Sequence, residues 1–425
     1  SQNKFIDIRQ KQIECLLQIL QTNGEDITIG WPILFNIIES ACLQQNDKLV
    51  VQSFQCYEFI VSNLLRYIPS IHLIHCINVA VAFGSQVQEL NVSLSAVGLV
   101  WNVADFLHSN HDQIQCLIDK FIQNGHKFVS IDLPFCEHLT PVQSLWISLF
   151  KNLSNLCTDA RLSVRKSSVQ TLMSTLSKHG QTLDYNTWKA IFFYILFPLV
   201  DSVRTLCSLA SNEKITQSES SKPNTYVDDS QSYMIHYSRN TAFKQWCETQ
   251  VSVINGVSRI ISIKLDLLIE NSLLQQSPES NNKNETILLN IWTLFFEFIY
   301  TSSTCANEEV SMSAIKCFNK IISFLNDYQA NNIDNDSNDE INRLMNLIWK
   351  NVWKIWCKIG NHIAMNNNNK FSNENNGFDS DNNNTTDFIP SQSYLCLFIQ
   401  PLCIILSKYI HHLTERFVFL HFSFL

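Results

Sequence analysis

Residues 159–180 read DARLSVRKSSVQTLMSTLSKHG, and their reading decides the fold class. Asp159 carries a carboxylate of the kind that caps a helix by accepting a hydrogen bond from an orphaned backbone N–H. Leu162, Val164, Val169, Leu172, Met173 and Leu176 then recur at roughly the period of a helix with one apolar face. His179 and Gly180 form a stop signal. Asp159 stands six residues before Arg165, which directly follows Val164.

The same element recurs along the chain. Leu49-x-Val51, Leu90-x-Val92, Leu162-x-Val164 and Val310-x-Met312 superimpose, each just after a turn or capping segment. Five residues beyond the second anchor stand Cys56, Val97, Val169 and Cys317; nine beyond it stand Ile60, Trp101, Met173 and Ile321. The first two copies lie 41 residues apart, within the ~40–47 of HEAT and armadillo repeats. The Asp159, Val164 and Arg165 arrangement resembles the second helix of a HEAT repeat, in which the turn aspartate and the arginine tie neighbouring repeats together. A helix pair cannot bury its apolar face alone, so neighbours stack. The expected fold is all-α, a HEAT/armadillo-type solenoid of antiparallel helix pairs. Its product would be a curved rod with a long groove, suited to binding rather than to an active-site pocket.

Composition points the same way. The chain has 425 residues, 45% hydrophobic and 16% charged, too long for one compact core. Gly and Pro number only nine each, too few for the turns of an all-β chain this long. A net charge of −8 gives no footprint for nucleic acid. The 14 cysteines include no CxxC pair and mostly sit in apolar helical patterns, as Cys15, Cys56, Cys157 and Cys317 do. That usage fits small buried hydrophobes in a reducing compartment. No signal peptide opens the chain, and the apolar runs Ala190–Val200 and Tyr394–Leu406 are interrupted by proline and short of a bilayer span. The start without methionine and the abrupt end in FVFLHFSFL suggest a piece of a longer protein.

Helical patterns cover 4–22, a segment from Gly30-Trp31-Pro32, a third capped by Asn46 or Asp47, then 71–83, 87–108 and 113–123. Thr140-Pro141 opens the helix that feeds the quoted stretch. A long apolar helix, Asn186–Leu209, is expected to kink at Pro198. The expected organisation is a helical array over 1–210, a mobile polar insert over 211–235 and a continued array over 236–363. An Asn-rich segment without structure follows over 364–390, then a terminal helix over 391–425.

Catalytic and cofactor motifs are missing: there is no GxxxxGK[ST], GxGxxG, GxSxG or HExxH. His72, His75 and Cys76 lie at a spacing that suits zinc, yet no second ligand pair is nearby, and they read as one helix face. Cys136-Glu137-His138 lacks an orienting third group. His108 and His111 read as solvated helix ends. Asp159 and Arg165 read as a structural pair between helices, with an anion-binding role as the alternative. No catalytic, cofactor or metal site is expected.

Three stretches go beyond a generic repeat. Gln12–Ile38, with its Gly30-Trp31 step, resembles the homology-downstream-of-Sec-seven (HDS) segment of the large Arf exchange factors and of the Mon-two family, their relative without the exchange domain. Cys76–Asp105, which holds Asn91 and Trp101, and Ser238–Arg259, which holds Arg239, Asn240 and Trp246, are similar to the Mon-two family. So are the quoted stretch and Leu196–Ser211. The resemblance implies a non-enzymatic cytosolic scaffold, peripheral on trans-Golgi and endosomal membranes, acting with Dopey-type partners and Arf-like small GTPases in endosome-to-Golgi traffic. A regulatory region of an Arf exchange factor and a HEAT-type nuclear transport receptor are the competing readings. The weak acidity and the unexplained GW and SRNT stretches argue against the receptor.

Overall fold

The computed structural model describes residues 5–126, 128, 139–219, 241–274, 281–332, 339–375 and 388–409. All regular structure among them is helical, which settles the all-α expectation. The chain divides into two compact units, Ser1–Leu199 and Val200–Leu425.

In the first unit the order is α1 (Ile6–Asn23), α2 (Trp31–Cys42), α3 (Asp47–Phe59), α4 (Leu73–Ser85), α5 (Leu90–Ser109), α6 (His111–Gln123), α7 (Pro141–Leu156), α8 (Leu162–His179) and α9 (Tyr185–Ala190). The chain weaves between two layers. α1, α3, α5 and α8 pack side by side in one; α2, α4, α7 and the segment around α9 form the other. α6 lies against α7. The middle helix α7 touches neighbours on every side, so all but a few of its residues are buried. Its sequence allows this, with Lys151 its only charged residue. Trp31, Trp146 and Trp188 are fully buried and anchor successive pairs. Each such side chain contributes roughly 1.5–3 kcal/mol through the apolar surface it removes from water.

The second unit repeats the plan. α10 (Phe197–Glu219) is followed by α11 (Ala242–Leu274), α12 (Asn281–Ser303), α13 (Glu308–Asn332), α14 (Asp339–Asn375), α15 (Gln392–Ile399) and α16 (Leu402–Tyr409). α11, α13 and α15 share one layer, α12 and α14 the other, and α16 rests on α13 and α14.

The sequence repeat is real, but its register differs from the one the leading Leu residues suggest. The third residue of α3, α5, α8 and α13 is Leu49, Val92, Val164 and Val310 in turn, and all four are buried. Leu90 is 42% exposed, so it opens α5 without joining the core. Copies one and four therefore slide by two residues, and Leu49 stands 43 residues before Val92. In this frame every equivalent position agrees. Ser53, Ala96, Ser168 and Ala314 are small and buried, which lets neighbouring helices approach closely. Tyr57, Val100, Leu172 and Phe318 follow, then Ile60, Val103, Thr175 and Ile321, all buried. The frame ends on Leu64, Leu107, His179 and Leu325, also buried.

Helix starts follow local chemistry. The Asn46 side chain accepts from the Leu49 N–H at 2.9 Å. Asn307 does the same for Val310 at 3.0 Å. Thr140 and Gln143 form a reciprocal capping box with Pro141 in the first turn. Ahead of Pro198, where a kink is expected, the helix passes through a π-helical turn over Ile191–Leu196. The Phe197 N–H reaches back five residues to the Phe192 carbonyl, and the wider turn absorbs the strain of a proline within a helix.

Two polar segments begin later than their composition suggests. α10 runs to Glu219 and α14 to Asn375, so the described parts of 211–235 and 364–390 include helix. Residues 220–240 and 376–387 lie outside the described residues. The terminal apolar run is two helices, because Pro401 cannot continue α15; residues 410–425 are outside the description. Leu90–Ser109 and Tyr185–Ser211 are long and apolar enough to cross a membrane by composition alone. Their buried faces belong to the cores just described.

Candidate functional site

The most elaborate polar site is where the α4–α5 and α7–α8 loops meet. Asp159 lies two residues ahead of the helix cap rather than at it, because α8 begins at Leu162 and its cap is Arg161. The Asp159 Oδ1 accepts from the Arg161 backbone N–H at 2.8 Å and closes the turn. The same carboxylate binds the Arg161 side chain in a fork, Oδ1 to Nε and Oδ2 to Nη2, each at 2.9 Å. The Arg161 guanidinium then crosses to the neighbouring pair. It donates to the Gln86 carbonyl at 2.6 Å, the Ser93 hydroxyl at 3.0 Å and the Gly84 carbonyl at 2.9 Å. Gln86 completes its own loop: its Oε1 accepts from the Glu89 N–H at 2.9 Å, and its amide donates to Ser93 Oγ at 2.8 Å.

Arg165 also braces this loop. It is 1% exposed and donates to the carbonyls of Asp159 and Ala160, each at 2.8 Å. Its link to Asp159 therefore runs through backbone, while the carboxylate belongs to Arg161. Ser93 holds the equivalent position in α5 and likewise bonds back to its loop, donating to the Gln86 carbonyl at 3.1 Å. Burial pushes the Asp159 carboxyl up, but hydrogen bonds from Arg161 and the charges of Arg161 and Arg165 outweigh it, and the carboxyl stays below its ordinary value. The site ties two helix pairs together and turns its donors inward. Sequence reasoning found Asp159 and Arg165 but missed Arg161, Gln86 and Ser93. Arg161 sits in the quoted stretch, yet its partners lie 68–77 residues away, beyond any local spacing rule.

At the far end of the same helices Trp101 is half-buried, with the Lys178 ammonium 5.0 Å from its ring centre. His179 is fully buried among Trp101, His108 and Trp146, at ring-centroid distances of 5.2, 4.9 and 6.2 Å. Neither of its ring nitrogens has a hydrogen-bond partner; the nearest carboxylate oxygen, on Asp105, stands 3.9 Å away. Burial lowers its pKa below the ordinary value, and His108 lowers it further. His108 stands in the last turn of α5, half-buried, with its ring against His179.

The remaining singled-out residues are dispersed. Trp31 is fully buried, stacks near Phe35 and donates from its indole to the Ile27 carbonyl at 2.9 Å. Gly30 has φ −75° and room for a Cβ, so the backbone does not demand glycine there. Asn91 faces solvent in the first turn of α5, and Trp246 is half-buried in α11. Arg239 and Asn240 lie outside the described residues; the adjacent Thr241 opens α11, accepting from the Lys244 N–H at 3.3 Å. Cys76 points into the core, in contact with the Tyr57 hydroxyl at 3.8 Å. The His72 and His75 rings lie 5.9 Å apart. Residues 136–138 are outside the description.

Both units of this fold have counterparts among known proteins. A family model described as the C-terminal region of Mon2 protein matches residues 62–338. The chain belongs to the Mon2 family. A second model, Mon2/Sec7/BIG1-like HDS, matches residues 1–59 and takes in Gly30 and Trp31. The Mon2 homolog of Drosophila melanogaster is 36% identical over 93% of this chain, which covers 22% of that protein. The Homo sapiens Mon2 homolog is 35% identical over 74% of the chain and 17% of its own length. The chain thus spans about a fifth of these curated relatives. Brefeldin A-inhibited guanine nucleotide-exchange protein 1 of Arabidopsis thaliana is 24% identical over 52% of the chain and 13% of its own length. Within this Mon2-family chain, the Arg161 site falls in the segment that the Mon2 model covers.

Proposed function

We propose that this chain is a non-enzymatic part of a trafficking scaffold that serves endosome-to-Golgi and trans-Golgi transport. In this reading it holds Dopey-type partners and Arf-like small GTPases, and through them sits peripherally on trans-Golgi and endosomal membranes. The observation that carries the reading is the Mon2 match over residues 62–338, continued by the HDS match over 1–59. The stacked helix pairs suit it, since they present extended surfaces for protein partners. So does the Arg161 site, whose guanidinium is taken up by Asp159, Gln86, Ser93 and Gly84.

The HDS match and the Arabidopsis exchange-protein relative favour a second reading, a regulatory region of an Arf exchange factor. One experiment separates them. The 425-residue chain is immobilised and offered a purified Arf-like GTPase, loaded with GTP analogue or GDP, and separately a Dopey-type protein. Retention of either partner, without faster nucleotide release, supports the scaffold. Accelerated release or its suppression on addition of an exchange domain moves the chain to the second reading. Retention of neither partner overturns the proposal.

A further inference from the structure

Cys207 on α10 and Cys247 on α11 meet in the second unit with their sulfurs 3.5 Å apart, joined by a hydrogen bond. Cys247 is fully buried and Cys207 is 7% exposed. The nearby Cys305 directs its thiol to the Asn307 carbonyl at 3.6 Å, so it does not compete for either sulfur. The pair spans 40 residues of sequence, and residues 220–240 lie between the two helices it joins. Burial alone accounts for isolated thiols such as Cys157; it does not explain why two thiols on separate helices stand sulfur to sulfur.

We propose that Cys207 and Cys247 form an oxidisable dithiol, which a peroxide converts into a disulfide stapling α10 to α11. Cys207 is the attacking sulfur: the hydrogen bond from Cys247 lowers its pKa against burial, and it alone of the two has surface exposure. The Cys207 thiolate attacks one oxygen of hydrogen peroxide, the O–O bond breaks, and hydroxide leaves and takes up a proton as water. The Cys207 sulfenic acid is then attacked by the Cys247 sulfur, which gives its proton to the departing hydroxyl as a second water. Two thiols lose two electrons in total and the peroxide gains them. Closing the bond needs the sulfurs to approach from 3.5 Å to about 2.05 Å. The staple constrains the unfolded chain across 208–246.

The test uses the whole chain, treated with graded hydrogen peroxide, blocked with an alkylating agent and digested without reductant. A Cys207–Cys247 linked peptide should appear before any other disulfide and vanish on adding dithiothreitol. Cys247→Ser should stop it and let dimedone trap a sulfenic acid on Cys207. Oxidation should raise the melting temperature of the wild type by roughly 5–10 °C and leave that of Cys247→Ser unmoved. Melting of Cys247→Ser within about 2 °C of the reduced wild type shows that the variant folds. Two alkylatable thiols after oxidation, a dominant link to Cys305, or a link that forms only in denaturant would each overturn the proposal.

Discussion

Arg161 serves two helix pairs at once, and this can be measured one residue at a time. Arg161→Met leaves the Asp159 carboxylate without its fork and removes the three hydrogen bonds that cross to Gly84, Gln86 and Ser93. Breaking a largely buried ion pair costs about 3–5 kcal/mol, and denaturant titration should find a loss of that size. The double-mutant cycle of Asp159→Ala with Arg161→Met should show strong coupling. Coupling of Asp159→Ala with Arg165→Ala should be weaker, because Arg165 bonds to carbonyls that survive the aspartate's removal. Equal couplings would restore the carboxylate–Arg165 pairing that the sequence spacing suggests. His179 offers a contrasting case. It occupies the position where α5 and α13 place Leu107 and Leu325, and its nitrogens are unpartnered. The groups facing it are His108, Asp105 and Trp101 from α5, Trp146 from α7, and its neighbour Lys178. Its folded pKa is lowered below 6.5. The unfolded chain therefore binds more protons just below that pH, and stability is full above about 6.5 and falls as the medium is acidified. His179→Leu should match or exceed wild-type stability at pH 7, by about 1 kcal/mol, and flatten the loss below about pH 6.5. A variant with an unchanged acid slope would remove His179 as its source.

At the level of the helix, the start of α7 is legible because its chemistry is local. Thr140 and Pro141 mark it in the sequence, and the structure adds Gln143 as the reciprocal partner of the capping box. Thr140→Ala should lower stability by about 1 kcal/mol in thermal or denaturant melts; no change would mean that tertiary packing alone fixes the start. The repeat register was less legible. An apolar residue at a helix's first position, such as Leu90, looks like core in a sequence and is solvent-exposed in the fold. Helix ends in polar segments are also less legible, since α10 runs to Glu219 and α14 to Asn375 through Ser- and Asn-rich sequence. Close packing between elements leaves no sequence signal either. A Cβ added to Gly84 would meet the Leu156 side chain at 2.7 Å. Gly84→Ala should therefore cost roughly 1–3 kcal/mol, read in the same melts, and a neutral result would show that Leu156 moves aside freely.

For the molecule as a whole, composition and periodicity announce an all-α array because both depend on which residues face the core. They do not announce what fastens one helix pair to the next. Arg161, Gln86, Ser93 and Gly84 come from distant stretches, and only the packing of α5 on α8 brings them together. The same limit holds for function. Family membership gives the setting, and the stacked pairs give the kind of surface, while partner choice lies in surface chemistry that no short motif encodes. Arg161 holds neighbouring pairs together, and amide hydrogen exchange on wild type and Arg161→Met tests this most directly. Protection should fall in 84–93 and 159–168, on both sides of the joint, and stay unchanged in 310–325 of the second unit. Exchange that rises only next to residue 161, or equally throughout the chain, would contradict it.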